Sequence, residues 1–285
     1  MAKGLIEADF CFINLAQIKF FIKMITIKKY PRTPHIQGSK FQHGDEDLEN
    51  IPFDEIKGKF LVIEEKMDGA NSGISFSDNG ELLLQSRGHY LTGGYRERHF
   101  DLFKTWAHTY SPQMWEVIKD EFIIYGEWMF AKHTVYYTHL EHYFLEFDIY
   151  DKANDCFLST KMRNKLLEKM PFIKSVKILY EGILNSKEQL KSFMTQSYFI
   201  NNNHLDCLKE DTEKLKLNFQ TVLKETNKSN IMEGLYIKQE SDNTVDQRFK
   251  YVRSDFLNSI MDSETHWLDR PIIPNRLAKD INLFN

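Results

Sequence analysis

The chain has 285 residues, 42% of them hydrophobic and 27% charged, which is enough to bury the core of one large domain with or without a small appendage. The three cysteines, Cys11, Cys156 and Cys207, lie far apart without a Cys-x-x-Cys pair, so the sequence indicates neither a disulfide framework nor a cysteine zinc site. This usage fits a reducing, cytoplasmic compartment. The formal net charge of −4 excludes a globally basic surface, so nucleic acid could be bound only by a local patch.

The N-terminal stretch from Phe10 to Ile27 is apolar but is interrupted by Lys19 and Lys23. It has no small-residue cleavage site and is too broken to span a membrane, which disfavours both a signal peptide and a membrane partner. We expect residues 1–27 to form an amphipathic helix or a leader of uncertain order.

Strand patterns begin at Lys59. Two extended runs flank Asn79-Gly80, the dipeptide that most strongly indicates a tight β-hairpin, because both residues tolerate positive φ. We expect strands at residues 60–65, 73–76, 81–86, 122–128, 143–150, 234–239 and 248–252. These strands predict a system of mostly antiparallel sheets.

Helices are expected where the hydrophobic period lengthens, at residues 101–108, 113–120, 160–170, 187–193 and 211–224. Ser186 and Gln189 are typical of a capping box, in which a hydroxyl and an amide each satisfy a backbone N–H. The polar, Lys- and Asn-rich stretch around 185–230 predicts a helical insertion in a domain of residues 28–253, followed by a short helical tail at 254–285. Antiparallel sheets with flanking helices predict an α+β fold.

Lys66 follows the first of these strands and begins the tetrad Lys66-Met67-Asp68-Gly69. A lysine two residues before Asp-Gly places an amine beside a tight turn, where backbone can approach a nucleotide closely, although the same pattern also occurs in surface hairpins. Four further motifs follow in order on expected strands: Tyr125-Gly126-Glu127-Trp128, Phe147-Asp148-Ile149-Tyr150, Glu233-Gly234-Leu235-Tyr236-Ile237-Lys238 and Arg248-Phe249-Lys250. The ordered set is far more specific than any single motif.

With this series, the chain from about Tyr30 to Arg253 resembles the covalent nucleotidyltransferases, the superfamily of DNA ligases, RNA ligases and mRNA capping enzymes. The pattern Lys-x-Asp-Gly-x-Asn is most similar to that of ATP-dependent RNA ligases, particularly the RNA-ligase-2-like branch. The resemblance implies an ATP-grasp-like nucleotidyltransferase (adenylation) domain that uses ATP with Mg²⁺ or Mn²⁺ and has RNA as its partner. It also implies a role in RNA repair, in which AMP passes from ATP to a lysine, then to a 5′-phosphate end, and is finally displaced by a 3′-hydroxyl.

The same resemblance implies a role for each matching residue. Lys66 would be the nucleophile that takes AMP, Asn71 would serve the later joining step, and Lys250 would act in catalysis. Glu233 would hold the metal. The nucleotide would be bound by the remaining matched residues, which are Glu64 and Glu65 near adenine, Glu127 on the ribose, Phe147 stacked on adenine, and Arg87, Lys238, Arg248 and Lys250 on phosphates or the 5′-phosphate strand.

To attack the α-phosphorus of ATP the lysine must be neutral, so a metal, Arg248 or Lys250 is expected nearby to lower its pKa. Arg248 is the clearest departure from the family, whose last motif is usually Lys-x-Lys, and its permanent charge prevents it from shuttling a proton. Phe147 could equally be a core residue, and Glu127 and Glu233 could be exposed strand carboxylates.

Two other functions remain open: a DNA ligase that seals nicks, and a noncatalytic nucleotide- or RNA-binding module that keeps the fold. About thirty residues follow Arg253, too few for the five-stranded OB domain that DNA ligases and capping enzymes carry after the core. We therefore expect no C-terminal OB domain, which disfavours a capping guanylyltransferase strongly and a DNA ligase moderately.

Three further patterns lie outside this assignment. The histidines at positions 133, 139 and 142 lack the spacing of a zinc motif, which disfavours a metal set. The leader Pro31-Arg32-Thr33-Pro34-His35 resembles one that precedes the core in a group of bacterial and phage RNA ligases, and no mechanism follows from it. A basic and aromatic cluster predicts either a nucleic-acid track or a charged surface loop. Its members are Arg87, His89, Tyr90, Tyr95, Arg96, Arg98, His99, Phe100 and Lys104.

Overall fold

Two β-sheets form the centre of the protein. A computed structural model describes residues 27–41, 45, 47–256 and 270–284, apart from the side chain of Arg96. The helix or leader expected before Ile27 lies outside these residues. The strands are β1 (His35–Ile36), β2 (Asn50–Ile51), β3 (Phe60–Lys66), β4 (Ala70–Phe76), β5 (Leu82–Ser86), β6 (Phe122–Trp128), β7 (Phe144–Asp151), β8 (Cys156–Phe157), β9 (Lys174–Ser175), β10 (Ile178–Ile183), β11 (Gly234–Glu240) and β12 (Val245–Val252). The α-helices are α1 (Asp101–Ile118), α2 (Thr160–Leu167), α3 (Lys187–Ser192), α4 (His204–Lys214) and α5 (Phe219–Lys224), and short 3-10 helices cover Phe53–Glu55 and Tyr95–Phe100.

The first sheet has the strand order β10-β3-β11-β12-β1-β2. Its neighbouring strands are antiparallel except at β12, β1 and β2, where two short parallel pairs add the N-terminal segment to the edge. Leu61 and Ile63 of β3 enter a hydrophobic cluster on one face of this sheet. Because side chains alternate along a strand, Glu64 and Lys66 point to the opposite face.

The second sheet has the strand order β5-β4-β6-β7-β8, with β9 paired to β7. Helix α1 contributes Phe103, Trp106 and Met114, all fully buried, to the largest hydrophobic cluster, which also includes Ile124 of β6 and Phe144 of β7. Large aromatic and aliphatic side chains such as these supply most of the free energy of burial that holds a helix on a sheet.

The α+β class and the predominance of antiparallel sheets are confirmed. The expected strands agree with the observed ones to within one residue, except that β4 and β12 each begin three residues earlier. The turn between β4 and β5 differs from the expected two-residue Asn-Gly turn. Gly80 alone is left-handed, with a φ of 79°, and its N–H donates to the carbonyl of Ser77 at 3.0 Å. The connection is therefore a three-residue loop, which also suits a hairpin.

The two helices expected at 101–108 and 113–120 are one continuous helix, α1, so that prediction was wrong. Pro112 has no N–H and would leave the carbonyl of His108 without its helical partner. The hydroxyl of Ser111 donates to that carbonyl at 3.0 Å, which compensates for the missing bond and lets the helix continue.

The single helix expected at 211–224 was also wrong, because α4 begins earlier and α5 is separate. Lys216 has a φ of 57°, and a left-handed residue at this position ends a helix. The side-chain oxygen of Asn218 then accepts the N–H of Thr221 at 3.0 Å and starts α5 as its N-cap. In the sequence, only Asn218, a capping residue within a polar stretch, indicated that a second helix begins there.

The cap of α3 agrees with expectation in one of its two bonds. The hydroxyl of Ser186 accepts the N–H of Gln189 at 3.2 Å. The side-chain oxygen of Gln189 accepts the N–H of Asn185, at 3.3 Å, instead of that of Ser186. Both bonds satisfy backbone donors at the start of the helix.

Residues 254–256 are helical, where the helical tail was expected to begin, whereas residues 270–284 contain no helix. Pro274 and Leu277 form bridges to the loop between β6 and β7. The side chain of Asn275 accepts the N–H of Tyr137 at 2.9 Å and donates to the carbonyl of Met129 at 2.7 Å. These bonds hold the segment extended. Residues 257–269 lie outside the described part.

Candidate active site

The tetrad that begins at Lys66 forms the crossing between the two sheets, because β3 belongs to the first sheet and β4 to the second. Within it, the carboxylate of Asp68 accepts the N–H groups of Thr134 and Val135, each at 2.7 Å. The N–H of Asp68 donates to the hydroxyl of Tyr137 at 2.9 Å. Asp68 therefore fixes the turn to the loop after β6, and the position of Lys66 depends on that anchor.

Two glycines allow close packing around Lys66. A Cβ on Gly69 would lie 2.6 Å from the sulfur of Met129 and 2.9 Å from the carbonyl of Trp128. Gly234 lies opposite Lys66 in the register of β11 and β3, and its Cβ would lie 2.2 Å from the carbonyl of Tyr251. The lack of a side chain at both positions brings three strands close to the lysine.

A cavity of about 170 Å³ lies between the sheets at this crossing. Eight of the residues that the sequence analysis assigned to the site line it, namely Glu64, Glu65, Lys66, Asn71, Arg87, Glu127, Phe147 and Lys250. The sequence analysis did not assign the other seven lining residues to the site. Tyr30, Pro31, Thr33 and Asp45 precede β3, and Met67, Val176 and Tyr236 follow it. The antiparallel pairing of β11 with β12 places Tyr236 opposite Lys250. This register could have identified Tyr236 as a residue of the cavity.

Lys66 is paired with Glu233, the residue before β11. Its Nζ donates to Oε1 of Glu233 at 2.6 Å, and the side chain of Glu233 is almost completely buried. Burial lowers the pKa of Lys66, but the charge of Glu233 outweighs burial and the net shift is upward. The amine is therefore protonated in the ligand-free protein, and the cations expected to lower its pKa do not prevail in this state.

Three buried carboxyl groups near Lys66 have pKa values far above their usual range. Burial raises the pKa of Glu127 to about 8, and the charges of Glu233 and Asp68 add to this shift against the effect of Lys66. Burial likewise raises the pKa values of Glu65 and Glu233 to about 7. The cavity thus has more carboxyl groups than its cations can neutralise, which favours the entry of positive charge.

The donor atoms around Lys66 suit a hard divalent cation. Besides the carboxyl groups, the side-chain oxygen of Asn71 is a possible ligand, because it is buried and has no hydrogen-bond partner among the described residues. Oxygen ligands of this kind are preferred by Mg²⁺ and Mn²⁺. Within the described ranges, no group of three or more His, Cys, Asp or Glu side chains could hold a metal by itself. A metal here would share its shell with phosphate oxygens or water, as Mg²⁺ usually does.

Two residues expected on phosphates, Lys238 and Arg248, do not line the cavity. Nζ of Lys238 lies 2.9 Å from Oε2 of Glu64 and 3.1 Å from Oδ1 of Asp148, and it also donates to a backbone carbonyl. The guanidinium of Arg248 lies over the ring of Phe157, 3.7 Å from its centre. The side chain of Lys238 is fully buried with its acceptors, whereas that of Arg248 is partly exposed.

Lys238 belongs to a set of five fully buried charged side chains beneath the cavity, which we call the buried ion network: Glu64, Glu146, Asp148, Arg163 and Lys238. Arg163 of α2 is at its centre, with nitrogen atoms 2.9 Å from Glu64, 3.3 Å from Glu146 and 3.7 Å from Asp148. The sequence analysis missed Arg163 because its partners lie on strands distant in sequence. Glu64 belongs both to the network and to the wall of the cavity.

Phe147 lies in the wall of the cavity and is also part of the core. Its ring contacts that of Tyr30 edge to face, with centres 5.1 Å apart. The hydroxyl of Tyr30 in turn contacts the carboxylate of Asp148 and the hydroxyl of Tyr236. The two alternatives for Phe147, core residue and base platform, are therefore compatible, because the same residue packs in the core and lines the cavity.

The basic and aromatic cluster divides into buried and exposed members. His99 and Phe100 are buried, and Lys104 pairs with Glu97 and Asp101. Tyr95 is 80% exposed, with the guanidinium of Arg98 4.8 Å from the centre of its ring. Only part of this cluster is thus available to a ligand.

The histidines at 133 and 142 are buried, and burial lowers their pKa values to about 4. His142 is held locally, because its Nδ1 accepts the N–H of Phe144 at 2.9 Å. No described helix is both long enough and apolar enough to cross a membrane.

Comparison with known proteins finds solved structures with a similar fold. A solved structure of Naegleria gruberi RNA ligase with PPi is similar, with a TM-score of 0.51 and 17% identity over 83% of this chain and 59% of that chain. A lysine-to-methionine variant of the same ligase with AMP and Mn has a TM-score of 0.50 and 17% identity over 74% of this chain and 54% of that chain. At this identity the likeness shows the fold alone, and this chain spans little more than half the length of those structures.

No curated protein matches the sequence. The sequence model of the family described as RNA ligase matches residues 59–252, which is more than half of the chain. All the motifs from Lys66 to Lys250 fall within this range. The chain therefore belongs to the RNA ligase family.

Proposed function

We propose that the protein is an ATP-dependent RNA ligase that acts through a lysyl-AMP intermediate at Lys66. Nζ of Lys66 attacks the α-phosphorus of ATP, a phosphoramidate bond forms, and pyrophosphate leaves. The AMP then passes to the 5′-phosphate of a nucleic-acid end, and a 3′-hydroxyl displaces AMP to form the phosphodiester bond. The observation that carries the proposal is a partly buried lysine, paired with a carboxylate 2.6 Å away, at a cavity in a chain of this family.

Lys66 must lose a proton before it can attack, because an ammonium has no free electron pair. The charge of Glu233 is the largest of the charges that keep Lys66 protonated, and those of Glu127 and Asp68 act in the same direction. Neutralising these carboxylates leaves burial and the nearby charge of Lys250 to lower the pKa of Lys66. Oε1 of Glu233 is also close enough, at 2.6 Å, to receive the proton. Mg²⁺ or Mn²⁺ bound beside Glu233 and Asn71 would supply charge stabilisation for the phosphates.

The walls of the cavity supply the other contacts. Phe147 is the platform for adenine, and the backbone near Glu64 and Glu65, which also line the cavity, recognises its edge. Glu127 accepts a ribose hydroxyl, or donates to it when protonated, which its raised pKa permits. Arg87 and Lys250 bind phosphates from the open side.

The residues beneath the cavity have a supporting part in this proposal. Lys238 and Arg248 hold Glu64, Asp148 and the aromatic wall in place instead of meeting the phosphates directly. Asn71 serves the joining step. The natural substrate is then a broken RNA, and the process is RNA repair.

Intact-mass measurement after mixing with ATP and Mg²⁺ tests the first step. The wild-type protein should gain the mass of one AMP, and Lys66→Ala should gain none. Lys59→Ala is the matched control, because Lys59 is exposed just before the same strand and should leave the adduct unchanged. Absence of an adduct on the wild type, or an adduct on Lys66→Ala, contradicts the proposal.

Sealing of a labelled 5′-phosphate strand tests the later steps and the class of substrate. We expect a joined product with RNA at nicked or single-stranded ends, and less product when the 3′-hydroxyl strand is DNA. Equal or better sealing of nicked DNA would identify a DNA ligase. Adduct formation without sealing of any strand would favour a binding module or an enzyme that needs a partner.

A further inference from the structure

The N-terminal segment, residues 28–51, lies outside the range that matches the RNA ligase family, yet it forms part of the cavity. Tyr30, Pro31, Thr33 and Asp45 all line it. The segment includes the leader to which the sequence gives no mechanism. Its contacts with Lys250 suggest what it does.

Backbone pairing fixes this segment to the strand that carries Lys250. Strand β1 runs parallel to β12, with His35 opposite Lys250. The N–H of Lys250 donates to the carbonyl of Pro34 at 3.0 Å. The leader and Lys250 are therefore held in one register, and the side chains of the segment stand at a defined place beside it.

Three cationic or donor side chains converge on the carboxylate of Asp45. Nζ of Lys250 contacts its Oδ2, Nε2 of His35 lies 3.2 Å from the same oxygen, and a guanidinium nitrogen of Arg32 lies 3.3 Å from Oδ1. The side chains of Asp45 and Lys250 are only 12% and 11% exposed. This is a largely buried pair with several hydrogen bonds, the arrangement in which an ion pair has a fixed geometry.

The side chain of His35 is completely buried, and its Nε2 contacts the carboxylate of Asp45. Its Nδ1 lies 2.6 Å from the hydroxyl of Ser39, which also accepts the N–H of Val252 at 2.9 Å. A carboxylate has no proton to give, so Nε2 of His35 donates to Asp45, and Nδ1 pairs with the hydroxyl of Ser39. A chain of hydrogen bonds thus runs from the backbone of β12 to Asp45.

We propose that Asp45, oriented by His35, is a positioning residue that fixes the ammonium group of Lys250 in the cavity, and that the N-terminal segment is thereby part of the adenylation machinery. The inference rests on the proposed function, in which Lys250 acts on the phosphates. A lysine has a flexible four-carbon stem, and fixing it before ATP binds removes an entropy cost from the reaction step. An ammonium has three N–H donors, so a bond to Asp45 leaves it able to donate to a phosphate oxygen as well.

The test is the rate of lysyl-AMP formation, followed by rapid quenching and intact-mass measurement across ATP concentrations. Asp45→Asn keeps the shape of the side chain and removes its charge. It should lower the rate at saturating ATP by on the order of tenfold and change the half-saturating ATP concentration by less than about threefold, because the loss falls on the reaction step. A loss of fold would not lower the rate while leaving the half-saturating ATP concentration nearly unchanged. Thermal unfolding of each variant checks that the variant is folded.

Asp47→Asn is the matched control. Asp47 lies in the same segment and pairs with the same Arg32 at 2.6 Å, but its side chain is 70% exposed. Its rate should stay within about twofold of the wild type, since exposed ion pairs contribute little. Asp45→Glu, which retains the charge, should recover part of the rate that Asp45→Asn loses, and it remains informative if Asp45→Asn unfolds.

A double-mutant cycle decides whether Asp45 acts through Lys250. In the Lys250→Met background, Asp45→Asn should cause little further slowing of adduct formation. Equal slowing in both backgrounds overturns the inference, as does a wild-type rate in both Asp45→Asn and Asp45→Glu. A wild-type protein that forms no adduct contradicts the proposed function and this inference with it, whereas an adduct rate insensitive to position 45 contradicts the inference alone.

Discussion

Two clusters of buried charge lie a few side chains apart in this protein, and they differ in how their charges are balanced. The buried ion network has three carboxylates and two cations, Arg163 and Lys238, and Arg248 lies 3.8 Å from Asp148 at its edge as a third cation. Around Lys66, by contrast, the carboxyl groups outnumber the cations. The second cluster consists of Glu65, Lys66, Asp68, Glu127, Glu233 and Lys250.

The pKa shifts reflect this difference. In the network, burial lowers the pKa of Arg163, but the carboxylates of Glu146 and Glu64 outweigh it and the net shift is strongly upward. Burial also raises the pKa of Glu146 in the network, against the charges of Arg163 and Lys238. Around Lys66, burial raises the pKa values of three carboxyl groups to about 7 or 8. Balanced charge is typical of a structural core, whereas unbalanced buried charge is typical of a site completed by a ligand. The network therefore supports the fold, and the cavity retains electrostatic strain for binding.

The largest effect that this comparison predicts is on stability, when the network loses its centre. Arg163→Met should remove the cation that lies among all three buried carboxylates and lower the free energy of unfolding by about 3–5 kcal/mol. Urea denaturation of the ligand-free protein measures it. Lys161→Met on the same helix is the control, because Lys161 is exposed and should change stability by less than about 0.5 kcal/mol. If Arg163→Met costs less than about 1 kcal/mol, the network is not the structural element described above.

The second prediction concerns strain in the cavity and has the opposite sign. Glu127 has a pKa of about 8 in the folded protein, against about 4.3 when unfolded, so its contribution to stability is fully present below about pH 4.3 and is lost as pH rises through 8. Glu127→Gln cannot lose a proton. Its free energy of unfolding relative to the wild type should therefore increase from pH 5 to pH 8.5, by on the order of 2 kcal/mol.

Urea denaturation at three pH values, without nucleotide or metal, measures this difference. Glu81→Gln is the control, since Glu81 is an exposed residue beside the β4–β5 hairpin and should show a difference that does not change with pH. A pH-independent difference for Glu127→Gln would mean that the carboxyl group is not strained, and the contrast between the two clusters would lose its main support.

The same comparison explains which residues the sequence could predict. Lys66, Glu127, Glu233 and Lys250 lie in short motifs in or next to periodic strands, and the order of these motifs along the chain identifies them. Arg163 offers no such signal. It occupies a polar position of a short helix, and its partner Glu64 is 99 residues away in the sequence, so nothing local distinguishes it from an exposed arginine.

Asp45 was missed for the same reason, since it lies 205 residues before Lys250. The errors in the helices have a different cause. Pro112 indicates a break in α1, and only the hydroxyl of Ser111 on the carbonyl of His108 makes the helix continuous. Local rules thus predicted strands and motifs well, whereas side-chain bonds that replace a missing partner, or that join distant parts of the chain, are visible only in the structure.

The surface beside the cavity extends the comparison, because it too contains both paired and available charge. Lys104 is held by Glu97 and Asp101, whereas Arg98 lies against the exposed ring of Tyr95. The carboxylate of Glu97 also accepts the N–H groups of Thr92 and Gly93, at 3.1 and 2.8 Å, which fixes the preceding loop. An exposed ring held by an arginine is suited to stacking with an unpaired base.

Tyr95→Ala should therefore weaken the binding of a labelled single-stranded RNA by about 1 kcal/mol, roughly fivefold, at low salt. This is the smallest of the effects, because one stacked base contributes a small part of the affinity. Phe60→Ala is the control for fluorescence polarisation, since Phe60 is 47% exposed at the end of β3 opposite Lys66. Stability should hardly change, because neither ring belongs to the core. Equal binding by Tyr95→Ala and the wild type would assign the cluster to a charged surface loop and restrict the ligand-binding charges to the cavity.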